Sequence, residues 1–166
     1  MRWFVRRHGP WLSTLAIGLA LVAAGTFFVV EGLATRNEVK AQLMDEQVYT
    51  SADAAIPSVL IQDAATARAQ ADVIKEHTLG RWGPYSELPR DDPRRVSFID
   101  GVALRTALNL AVVGFGISQM AIGAGAIILA AGVATLALAT PALYFLAGMV
   151  VQQGAQNAQE PEAAPG

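Results

Sequence analysis

The chain has 166 residues, no cysteine, 53% hydrophobic residues and 16% charged residues. Soluble domains carry about a quarter charged residues. Here charges are absent from residues 11–30 and 106–151 and crowd between them, which excludes an ordinary soluble domain. A formal charge of −2 provides no concentrated basic face for nucleic acid. The missing cysteines exclude a disulfide framework, a thiolate zinc site and a cysteine nucleophile.

The first ten residues hold Arg2, Arg6 and Arg7 and no acid, with Trp3, Phe4 and Trp11 where interfacial aromatics belong. The apolar run that follows extends to Leu33 past Glu31, and roughly 20 residues span the ~30 Å hydrocarbon core. A signal peptide has an apolar core of about 7–15 residues and ends at small residues. This run is longer, and Gly32-Leu33-Ala34-Thr35 is a poor cleavage site. The expectation is a cytoplasmic basic N-terminus over 1–10 and an uncleaved transmembrane helix over 11–33. By the same charge rule, residues 34–105 form an exported, mostly helical insert, with nine basic and eleven acidic residues.

Within the insert, residues 34–43 continue the first helix for two or three turns. Residues 48–50 and 59–61, with Pro57 between them, suit a small strand pair or an extended loop. Asp63 reads as the N-cap of a helix through Thr78 that stops at Leu79-Gly80. Its expected buried face is Ala64, Ala67, Ala71, Ile74 and Thr78, with Val73 at the edge. Residues 81–92 contain Gly83, Pro84 and Pro89 and read as an ordered loop, pinned to that helix by Trp82, Tyr85 and Leu88. So few large apolar groups cannot stabilise some 70 residues alone, so the insert leans on the helix extensions.

Asp92-Pro93 makes an N-cap and first-turn pair for a second long helix, with Val96, Ile99, Val102 or Ala103, Leu104 and Ala107 at helical spacing. Residues 106–151 would be about 69 Å long as one helix, too long for one crossing. Thr140-Pro141 is the best break. Residues 106–139 are then a long helix containing the second crossing, and 140–151 an apolar appendix or a third crossing. Gly101 and the Gly114/Gly116 pair are candidate bends, and the polar tail 152–166 is expected to be disordered. The fold class is mainly α, an integral membrane protein of two or three transmembrane helices with a small helical polar insert between them.

Small residues repeat every seven positions. Gly18, Gly25 and Gly32 lie on the first helix; Gly116 and Gly123 lie on the second, beside a row containing Ser118, Gly125 and Gly132. Seven residues are two helical turns, and small faces let helices approach closely in lipid. These glycines are the candidate helix–helix interface.

The ordered motifs Ala69-Gln70-Ala71-Asp72-Val73-Ile74, His77, Tyr85-x-x-Leu88, Asp91-Asp92-Pro93-x-Arg95, Leu104-Arg105-Thr106-Ala107-Leu108 and Val112-Val113-Gly114-Phe115-Gly116 span roughly residues 63–135. This order resembles a group of small actinobacterial membrane proteins that carry the name aromatic ring-opening dioxygenase. The resemblance implies an N-terminal anchor, an exported insert and a C-terminal membrane helix. The apolar end beyond residue 139 departs from that pattern.

The enzyme name implies a non-haem iron site of about two histidines and a carboxylate. His8 precedes the first membrane helix and His77 follows it, so one chain cannot bring them together across a bilayer. No Ser-His-Asp order, phosphate loop or dinucleotide fingerprint is present. His77 near a helix end suits the terminal carbonyls, and the Asp92 region suits a helix start. The expectation is a non-enzymatic accessory or structural subunit of the plasma membrane, without cofactor or metal. Its partners are the bilayer and other membrane subunits or a second copy. The alternative is a membrane-anchored sensor or ligand-binding module, with His77, Trp82, Tyr85, Asp91, Asp92 and Arg95 as the candidate binding surface.

Overall fold

The computed structural model describes residues 2–157, with side chains for 8–154 and 156. The described chain is mainly helical. Helix α1 spans Arg2–Asp45, α2 Ala64–Lys75, α3 Arg94–Ala134 and α4 Thr140–Asn157. A π-helical turn, Glu76–Gly80, extends α2, and another, Thr135–Ala139, joins α3 to α4. Two stretches, His8–Asp45 and Arg94–Gly154, are long and apolar enough to cross a membrane. Only 11% of each apolar window is covered within the molecule, unlike the core helix of a soluble protein. The chain divides into two compact units: Val30–Ile122, and α1 up to Val29 with the chain from Gly123 onward.

In the unit Val30–Ile122, α1 continues past the apolar run to Asp45, as its sequence predicts. Tyr49 and Leu60 then form one antiparallel bridge, held by the Thr50 and Ile61 amides donating to Val59 and Val48. Asp63 caps α2: its carboxylate accepts from the Thr66 amide at 2.8 Å, and the Thr66 hydroxyl closes the capping box. Thr66 stands where Glu or Gln is usual, and serves because its oxygen reaches back to the Asp63 amide. Ile61, Ala67, Ala71, Ile74 and Leu108 form the buried cluster, with Leu43, Val48 and Val112 packed against it. Ile61, Ile74 and Leu108 carry most of its apolar area, at about 1.5–3 kcal/mol each.

This core resolves part of the excess apolar length. Leu108, Ala111 and Phe115 belong to the uncharged stretch, yet they are buried in the same unit as α2 and the bridge. The first turns of that stretch therefore fill the core of the polar insert.

The apolar residues whose spacing marks α3 in the sequence are not the ones it buries. Phe98, Leu108, Ala111, Phe115 and Ser118 are buried, whereas Val96, Ile99 and Leu104 are exposed. Both sets have helical spacing, so periodicity alone selects neither. Gly101 is no bend. A Cβ there would lie 2.7 Å from Cγ2 of Thr78, so this glycine admits α2's extension against α3. Gly114 likewise faces Val39 of α1.

At Thr140-Pro141 the chain passes from the π turn into α4 without leaving the helix. The Thr140 hydroxyl donates to the Thr135 carbonyl five residues back at 3.1 Å. Proline lacks an N–H and its ring crowds the carbonyl four residues earlier. The π turn just before Pro141 accommodates both defects, and the helix runs on. Pro10 is likewise inside α1, which starts at Arg2 and so includes the segment expected to precede the helix. α4 extends to Asn157, so residues 152–157 are helical where disorder was expected; 158–166 lie outside the described residues.

Candidate functional site

Two glycine rows of α1 and α3 meet. In the unit containing Gly25, a Cβ on that residue would lie 2.5 Å from the Leu129 amide and 2.8 Å from the Gly125 carbonyl. One on Gly125 would lie 2.8 Å from the Gly25 carbonyl, and one on Gly132 2.8 Å from the Val22 amide. Gly18 faces Leu136 and Gly132. In the other unit, Gly32 faces Ile122 and the Ser118 carbonyl. Partner numbers fall as α1 numbers rise, so the helices are antiparallel. At Gly25, Gly125 and Gly132 the obstructing atoms include backbone, so no larger residue fits there without separating the helices.

Gly116 and Gly123 do not join this interface: nothing lies within 4 Å of a Cβ built on either. They are two positions from Ser118 and Gly125, about 200° around the helix. Both rows repeat every seven residues, so spacing could not tell the inward row from the outward one. Ser118 is 1% exposed, with its hydroxyl donating to the Phe115 carbonyl at 2.8 Å. Its small size matters at the Gly32 crossing.

The other candidate residues fall into two groups. Tyr85 and Trp82 pack against Phe98 of α3, with ring centroids 5.5 and 6.3 Å away. Arg95 stacks on Tyr85 at 4.0 Å and donates to the Leu88 carbonyl at 2.7 Å. The loop 81–92 is thus pinned to α3, and Phe98 and Arg95 are the residues that pin it. Asp92 begins that helix, accepting from the Arg94 amide at 2.8 Å and from its guanidinium. The guanidinium, then the amide, hold its carboxyl below the usual carboxylate range. Asp91 is exposed beside it, on a shallow depression lined by Pro89, Pro93 and Arg94.

His77 faces another partner. Its Nε2 lies 2.7 Å from Asp53 Oδ2, tying the π turn to the loop after the bridge. Gln70 makes a second tie, accepting from the Ser51 amide at 2.7 Å and donating to its hydroxyl. Both were invisible to sequence reading because their partners lie some twenty positions away.

Among the described residues, no three His, Cys, Asp or Glu side chains converge as metal ligands would. Those residues assemble no donor set of the kind that the ring-opening name implies. No protein-family model, curated protein or solved structure matches the chain.

Proposed function

We propose that the chain is a non-enzymatic, two-crossing membrane protein of the cell envelope that serves as an accessory subunit of a larger membrane assembly. Residues 11–33 and the facing part of α3 cross the bilayer, with the N-terminus cytoplasmic and 34–105 outside. Leu12, Ile17, Leu19, Phe27 and Phe28 are exposed on the face of α1 turned away from α3, and so broad an exposed apolar face calls for lipid. The motif order still argues for kinship with the small actinobacterial membrane proteins named above.

One observation supports the subunit role. Val96, Ile99, Leu110 and Val113 are each more than half exposed on α3, within the unit that holds the charged insert. With Ala103 and Thr106 they follow a seven-residue repeat, the spacing of a helix–helix seam. The facing part of α1 beyond the apolar run carries Arg36, Glu38 and Lys40, so lipid tails do not cover this stretch. An apolar face in water marks a protein interface.

The test is a photo-crosslinking residue at Ile99 or Val113 in native membranes. A subunit role predicts one discrete protein adduct from both positions and none from Glu87. Lipid adducts alone, or a partnerless monomer in mild detergent, overturn it.

A further inference from the structure

The unit containing the chain termini holds a cavity that the helix packing leaves open. His8 and Trp11 of α1 and Tyr144, Phe145, Gly148 and Gln152 of α4 line a space of about 300 Å³. Trp11 stands edge-on to Tyr144 at 5.8 Å and to His8 at 5.9 Å. Its indole N–H donates to Nδ1 of His8 at 3.3 Å. The lining is amphipathic, with aromatic walls beside an imidazole and a carboxamide.

Charge at the start of α1 has one sign. Arg7 lies one turn before Trp11, Arg6 and Arg2 precede it, and residues 1–30 contain no acid. The only acids after residue 106, Glu160 and Glu162, lie outside the described residues. An interfacial aromatic belt accounts for Trp11 and Tyr144. It does not account for a cavity beside a purely basic segment.

We propose that this cavity binds an anionic phospholipid, with the rings seating its glycerol region and the positive first turns of α1 drawing its phosphate. The inference rests on the membrane reading above. A zwitterionic lipid would fill the same space without answering the charge, and each arginine near an anionic surface favours binding roughly fivefold.

The test uses the full chain with Trp3→Phe and Trp82→Phe, leaving Trp11 as the single indole. It is reconstituted in phosphatidylcholine vesicles containing a minor fraction of brominated phosphatidylglycerol or, separately, brominated phosphatidylcholine. The bound-lipid site predicts that phosphatidylglycerol quenches Trp11 several-fold more strongly. Gly148→Leu should abolish the preference: a Cβ there meets nothing within 4 Å, so the side chain enters open space. Arg6→Gln with Arg7→Gln should weaken it roughly tenfold or more. Equal quenching by both lipids in protein that resists alkaline carbonate extraction overturns the site and leaves the membrane reading intact. A preference that survives Gly148→Leu also overturns the cavity as the site. Protein released by carbonate overturns the membrane reading itself.

Discussion

Gly25 of α1 and Gly125 of α3 meet backbone to backbone: a Cβ added to either would lie 2.8 Å from the carbonyl oxygen of the other. Neither obstruction is a flexible side chain, so a larger residue must push the helices apart. Gly25→Leu or Gly125→Leu should destabilise the pair by about 1–3 kcal/mol or more, the usual penalty of overpacking. Gly116→Ala and Gly123→Ala should be neutral or stabilising by up to ~1 kcal/mol, because alanine is the better helix former and their surroundings are open. Thermal unfolding in detergent, followed by circular dichroism, separates the two sets. Equal effects from both would show that the inward row is misassigned.

Asp63 should behave as a carboxylate whose charge holds a helix start. The Thr66 amide, against the opposing effect of burial, and then the Thr66 hydroxyl keep its pKa below the ordinary 3.8. A depressed folded pKa stabilises the protein above the unfolded value, and that contribution is lost as pH falls through the lower folded value. α2 should therefore keep its cap at neutral pH and loosen only below about pH 4. Asp63→Ala should cost about 1 kcal/mol and Asp63→Asn much less. Hydrogen exchange at the first amides of α2 reads the change, and unaltered protection in Asp63→Ala would refute the cap.

The loop 81–92 depends on α3 through Phe98 and Arg95. Arg95→Ala removes a stacked guanidinium and a hydrogen bond to the Leu88 carbonyl, together about 1–2 kcal/mol. Phe98 is 4% exposed, and Phe98→Ala should cost about 3–5 kcal/mol. Both variants should open the loop to trypsin at Arg90 while the helix pair stays intact. Cleavage no faster than in the wild type would show that the loop is held elsewhere.

The His77–Asp53 pair should contribute little. Its side chains are 45% and 58% exposed, and exposed pairs are worth ~0–1 kcal/mol. Asp53→Asn should leave the melting transition nearly unchanged, and a large loss would point to a role beyond tying two loops.

The elements governed by local chemistry were legible in the sequence. Asp63 and Asp92 cap helices through their own neighbours, and the extension of α1 follows from unbroken helical residues up to Asp45. Where two answers shared one period, the sequence could not choose. Gly116 and Ser118 both sit in seven-residue rows, and Val96 and Phe98 both have helical spacing, yet only one of each pair faces inward. Thr140-Pro141 marks the start of α4, but the π turn before it keeps the helix continuous, which the start signal does not specify. The Phe98 and Arg95 clamp and the Gln70 ties depend on partners that local patterns do not specify.

In the proposed topology the chain crosses the membrane twice and carries residues 34–105 on the far side from its N-terminus. The absence of cysteine makes this directly measurable. Single substitutions Ser86→Cys and Gln153→Cys are to be labelled in intact cells with a membrane-impermeant thiol reagent. That topology predicts labelling at position 86 without permeabilisation and at 153 only after it. Labelling of both positions from the same side, or of position 86 only from the cytoplasm, would contradict it.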